Sequence, residues 1–82
     1  MTIPVARHQQ LVARIKRGSK YRHQAPEGEW FAVTVVTDNY YQLRGNHNNY
    51  HLSDVVLGMR VEDGRVLDFN VGRFTGEPTN DK

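Results

Sequence analysis

Eighty-two residues, 38% hydrophobic and 24% charged, make one small domain, just large enough to hold a single core without covalent staples. The absence of Cys removes disulfides, thiolate nucleophiles and Cys-based zinc sites, and no apolar run approaches the roughly 18 residues of a membrane span. The net charge of +2 hides an asymmetry: six basic residues and no acidic one precede Glu27, while five basic and all nine acidic residues lie from Glu27 onward.

No charged n-region followed by an apolar h-region opens the chain, so no signal peptide is expected and a cytoplasmic protein is. Ile3 to Lys16 reads as a helix. Thr2 suits its cap and Pro4 its first turn, and Gly18 is placed to stop it. On that helix Val5, His8, Leu11, Val12 and Ile15 share an apolar face opposite Arg7, Gln10, Arg14 and Arg17. The β-branched residues of this stretch also allow Leu11 to Ile15 to lead into a strand. Lys20 to His23 is a candidate short edge strand, and Ala25-Pro26-Glu27-Gly28 reads as a loop or turn.

Trp30 to Thr37 is the longest run of β-branched and aromatic residues and is expected to be the principal strand. Alternation places Phe31, Val33 and Val35 on one face and Trp30, Ala32, Thr34 and Val36 on the other. The pattern predicts a three-residue loop at Thr37-Asp38-Asn39, with Val35 opposite Tyr41 and Val33 opposite Leu43. A polar loop through Asn46-His47-Asn48-Asn49 then sets Leu43 against Leu52. Ser53-Asp54 must absorb one residue, by a single helical turn or a bulge. In the last hairpin a Glu62-Asp63-Gly64 loop sets Met59 against Leu67, Leu57 against Phe69 and Val55 against Val71, all inward, with Gly64 at positive φ. The domain is expected to span residues 1–74, with residues 75–82 a polar, disordered tail.

The expected class is α+β, mostly β: an N-terminal helix followed by an antiparallel meander of about five strands. That element order resembles a strongly bent sheet or a small SH3-like or Sm-like barrel, with an open sheet covered by the helix as the alternative.

No catalytic constellation emerges. Nothing around Ser19 or Ser53 resembles a nucleophile elbow, and Glu27 and Glu29 flank a turn glycine as solubilising charges. His47 and His51 stand four apart, but in and after an Asn-rich turn, where that spacing does not converge on a metal. A non-enzymatic protein without cofactor, metal, membrane partner or small-molecule substrate is therefore expected. Two binding modes remain. In the first, the face bearing Trp30, Val36, Tyr40, Arg44 and His51 binds a protein partner or a second copy of the chain. In the alternative, Arg7, Arg14, Lys16, Arg17, Lys20 and Arg22 contact nucleic-acid phosphates.

Overall fold

The computed structural model describes residues 9–76. Within them lie seven strands: β1 (Gln10–Ile15), β2 (Phe31–Val35), β3 (Leu43–Gly45), β4 (Asn48–Tyr50), β5 (Val55–Arg60), β6 (Val66–Asp68) and β7 (Arg73–Thr75), with 3₁₀ turns at Arg22–Gln24 and Leu52–Asp54. All pair antiparallel in one sheet of order β4-β3-β2-β1-β5-β6-β7. The sheet is open, with β4 and β7 at its edges, so the closed SH3-like or Sm-like barrel is corrected to an open antiparallel sheet. Each edge strand has only three residues, which blunts it against adventitious pairing.

The expected helix is also corrected. Residues 3–8 lie outside the described part, but Gln10–Ile15 is a strand in continuous register with β5, from Gln10 opposite Arg60 to Ile15 opposite Val55. This strand, rather than Trp30–Thr37, is the centre of the sheet. Val12 and Ala13 point to opposite faces and are each 0% exposed. A strand buried on both faces loses its polar alternation and imitates one flank of a helix. Pairing on two sides with β-branched residues then decides for strand.

Lys20 to His23 is likewise not a strand. The Lys16 carbonyl accepts from the Ser19 N–H, the Ser19 carbonyl from the Arg22 N–H, and the Tyr21 carbonyl from the Gln24 N–H. The Ser19 hydroxyl also accepts from the Tyr21 N–H at 3.0 Å, a local bond that competes with sheet pairing. The segment packs onto the core instead. Tyr21 meets Tyr50 edge-on at 5.3 Å, and the Gln24 side-chain carbonyl accepts from the Tyr50 hydroxyl at 2.6 Å and from Asn48 at 2.9 Å.

The hairpins test the register argument one by one. At β5–β6 it holds as far as Leu57 and Phe69: Met59 faces Leu67, the Phe69 N–H donates to the Leu57 carbonyl and Gly64 has φ +90°. The expected pairing of Val55 with Val71 is corrected, because β6 ends at Asp68 and Val71 lies in the turn to β7. At β2–β3 the pairing is shifted by two residues, with Val35 opposite Leu43. The loop lengthens because the Asp38 carboxylate accepts from the Tyr40 and Tyr41 N–H groups at 2.7 and 3.2 Å, holding an extra turn. At β3–β4 the shift is again two: Leu43 faces Tyr50, and the connection is a two-residue turn with Asn46 and His47 both at positive φ. A shift of two keeps every side chain on its expected face, so Val33 and Leu43 remain buried. Leu52–Asp54 absorbs the odd residue as a single 3₁₀ turn, and Arg73–Thr75 adds a strand that polar composition concealed. Of the tail expected at 75–82, Thr75 instead closes β7 opposite Val66, and residues 77–82 lie outside the described part.

One face of the sheet carries the main core: Ala13, Ile15, Val33, Leu43, Tyr50 and Val55, covered by Tyr21 and Ala25. Toward β6 and β7 this cover ends. Phe69 and Val71, expected inward, are 49% and 51% exposed, because no element crosses that end among the described residues.

Candidate functional site

Strand register sorts every strand side chain to one face or the other. On the core face stand Leu11, Ala13 and Ile15 of β1 and the residues paired in line with them, none of them charged. All five charged residues of the strands stand on the opposite face: Arg14, Arg44, Arg60, Arg73 and Asp68. Four arginines against one carboxylate make this an arginine face, and that carboxylate is already engaged.

The engagement is specific. Asp68 is 3% exposed, and its Oδ2 accepts from Nη2 of Arg14 at 3.1 Å, across β5. Its Oδ1 accepts from the N–H groups of Asn70 and Val71 at 2.8 and 3.3 Å. Burial pushes the Asp68 pKa up, but the Arg14 guanidinium and these N–H groups outweigh it, and the net shift is below the ordinary carboxylate value. Trp30 stands opposite Arg14, with the guanidinium 5.3 Å from the ring centroid. The indole leans across β1 onto Gly58: a Cβ there would lie 3.0 Å from Cζ3 of Trp30 and 2.7 Å from Cγ1 of Val66. The apolar end of this face is therefore a second, smaller core of Val12, Val56 and Val66 under Trp30, with a cleft of about 470 Å³ beside Arg14 and Asp68.

The remaining face arginines are differently placed. Arg44 and Arg73 are exposed and Arg60 is half-buried; none forms a salt bridge among the described residues, although Asp38 lies near enough to Arg44 for that charge to help lower the Asp38 pKa. Arg44 is oriented by its Nε donating to Asn49 at 3.2 Å. Between Arg44 and Arg60, along one row of the sheet, stand Thr34 and Gln10.

That row ends at Asn49 on β4, and two residues further along the strands lies an aromatic cluster. Val36 and Gln42 extend the β2–β3 pairing, with the Val36 N–H donating to the Gln42 carbonyl at 2.9 Å. His51 follows Tyr50 in extended backbone and so turns to the arginine face. Its ring lies 4.5 Å from Tyr40 and 4.9 Å from Tyr41, and Tyr40 is 61% exposed. Burial, together with the Tyr21 and Tyr40 hydroxyls, holds the Tyr41 pKa above the ordinary tyrosine value.

The sequence-predicted interaction residues are thus divided. Val36, Tyr40, Arg44 and His51 gather at the β2–β3 end, while Trp30 lies at the other end of β2, about 20 Å away at roughly 3.3 Å per residue. Of the sequence-predicted basic set, Arg7 lies outside the described residues. Arg14 is bound to Asp68, Arg17 to Glu27 at 2.7 Å, and Arg22 approaches Glu27 at 3.7 Å and donates to the Ala25 carbonyl. Lys16 is exposed, and Lys20 lies over the Tyr21 ring at 5.3 Å. The N-terminal basic residues therefore do not form one patch; Arg60 and Arg73, which sequence reasoning passed over, join Arg44 on the exposed face. Their signal was parity, readable only once the strand register is known. His47 sits in the β3–β4 turn, away from the His51 cluster, and no group of three metal-ligating side chains converges among the described residues. No helix of the described residues is long and apolar enough to cross a membrane.

Comparisons with protein-family models, curated proteins and solved structures find no match to this chain.

Proposed function

We propose that this chain is a small non-enzymatic binding module that engages an anionic macromolecule through its arginine face. The observation that carries this reading is the segregation of strand charge: four arginines and Asp68 on one face, three of the arginines outside any salt bridge among the described residues, and no charged strand residue on the other face. Loose arginines at this density cost folding energy through mutual repulsion, and a polyanion relieves it. The acidic residues Glu27, Glu29, Asp38, Asp54, Glu62 and Asp63 lie in loops and turns; Glu27 lines the cleft beside Arg14 and Asp38 lies near Arg44, but neither forms a salt bridge with Arg44, Arg60 or Arg73.

The test is retention on immobilised heparin. Arg44→Glu with Arg60→Glu should elute at markedly lower salt than Lys20→Glu with Arg65→Glu, a pair of equal charge change away from this face. Equal elution of the two double variants would overturn the reading.

A second reading, a protein partner or a second copy of the chain, is supported by the uncovered end of the core face. There Phe69 and Phe74, 49% and 44% exposed, flank half-buried Leu57, Met59 and Leu67. Light scattering at high micromolar concentration should give twice the monomer mass, reversed by Phe74→Glu. Monomer mass for the unsubstituted protein would remove self-association.

A further inference from the structure

We infer that the anionic partner is single-stranded nucleic acid, lying across the strands from Tyr40 and Arg44 through Arg60 to Arg73. The inference rests on the arginine-face reading and narrows its ligand. Three features of the face favour a single strand.

The first is the aromatic end. An exposed Tyr40 ring, braced edge-on by Tyr41 at 4.7 Å and by His51 at 4.5 Å, is a stacking platform at the β2–β3 end of the sheet, the end that carries Arg44. An unpaired base has a free π-face for it; a base within a duplex does not. The ring is held in place, so stacking costs little side-chain entropy. An acidic peptide would use the arginines but has no corresponding use for an exposed, braced ring.

The second is the spacing. Arg44 on β3 and Arg60 on β5 are three strands apart, about 14 Å at roughly 4.8 Å per strand. Arg73 on β7 continues two strands further. Between the first two arginines lie Thr34 and Gln10, with Asn49 outside Arg44. Charge at intervals, separated by neutral hydrogen-bonding side chains, suits a flexible strand whose phosphates meet the arginines while its bases meet the groups between.

The third is shape. A duplex is read by an element that enters a groove, a helix or a protruding two-stranded ribbon. Among the described residues there is no α-helix, and the arginines stand on the broad face of the sheet. That geometry lets a single strand lie flat and leaves the duplex grooves unread.

The experiment is fluorescence anisotropy on the full chain at low salt. The probes are labelled oligothymidylate of about 12 nucleotides, a length that a small β domain covers, a duplex of the same length, and polyglutamate as competitor. Single strands should bind more tightly than the duplex. Tyr40→Ala should weaken single-strand binding about tenfold, the order expected for one lost base stack, and leave duplex binding unchanged. Arg44→Gln with Arg60→Gln should flatten the slope of log affinity against log salt by about 1.4, from about 0.7 for each phosphate released. Circular dichroism of each variant confirms that the sheet is retained. Equal binding of duplex and single strand, or a Tyr40→Ala variant of unchanged affinity, overturns the single-strand inference while leaving a polyanion-binding face. Displacement by polyglutamate with no preference for the oligonucleotide assigns the face to an acidic protein instead. Failure of every anionic probe, heparin included, overturns the underlying reading as well.

Discussion

Arg14 on β1 and Asp68 on β6 are joined across the intervening strand, Nη2 to Oδ2 at 3.1 Å, and the same guanidinium covers the Trp30 ring. One carboxylate thereby satisfies an arginine of the central strand and two backbone N–H groups of the β6–β7 turn. Asp68→Ala removes all three acceptor contacts in a site 3% exposed, and should cost about 2–3 kcal/mol in urea unfolding. Asp68→Asn keeps the turn contacts through its carbonyl oxygen and should cost about 1 kcal/mol. Equal stability of Asp68→Ala and the parent would refute the role given to this pair.

The same carboxylate makes stability depend on pH. Its pKa in the folded chain lies below the ordinary value, burial opposing and Arg14 with the turn N–H groups prevailing, so folding favours the ionised form. The contribution is therefore complete above the unfolded carboxylate pKa of about 3.9 and is lost as pH falls through the lower folded value. Glu27, Asp38 and Asp63 are lowered too and act in the same direction. Urea midpoints taken down to about pH 2 should fall less steeply for Asp68→Asn than for the parent. Parallel curves would assign the acid sensitivity elsewhere.

Gly58 is required by what leans on it. A Cβ at this position would meet Cγ1 of Val66 at 2.7 Å and the Leu67 carbonyl oxygen at 2.8 Å, and the latter is backbone that moves only with its strand. Gly58→Ala should cost about 1–3 kcal/mol. Trp30 is the only tryptophan, so its fluorescence reports this site directly and should shift to the red as the indole is pushed toward water. An unshifted spectrum with unchanged stability would contradict the packing.

At the β3–β4 turn Asn46 and His47 both have positive φ, at 50° and 63°. Asparagine tolerates this and histidine does so less well, whereas Asn-Gly is the preferred pair. His47→Gly should stabilise by a few tenths to about 1 kcal/mol, the relief of left-handed strain exceeding the entropy gained by the unfolded chain. A lower urea midpoint for this variant would count against the turn geometry.

The places where sequence and structure part company share a cause. Alternation has a period of two, so the identity of the buried face was legible in Phe31, Val33 and Leu43 while the absolute pairing was not. The last hairpin was readable because Glu62-Asp63-Gly64 leaves one loop that keeps Met59 against Leu67. The first two were decided by side-chain chemistry: the Asp38 carboxylate bridging to Tyr40 and Tyr41, and two residues willing to adopt positive φ. In β1 the apolar run Leu11-Val12-Ala13 carries no period of its own, since both faces are buried. The arginine face was illegible for the same reason. Arg14, Arg44, Arg60 and Arg73 are scattered along the chain, and only the pairing of strands distant in sequence brings them to one side.

The central place of β1 sets a schedule for synthesis. This strand is made first of the seven, yet one of its two partners is β5, and Gln10 meets Arg60 only after most of the chain exists. Until residues 55–60 leave the ribosome, Val12 and Ala13, two of the three core residues that are 0% exposed among the described residues, belong to a strand with an open flank. Contacts this far apart form late and slowly, on the millisecond-to-second scale typical of sheet proteins, because the chain between them must first surrender its freedom. The nascent chain is thus most exposed to wrong pairing during the interval between making β4 and finishing β5.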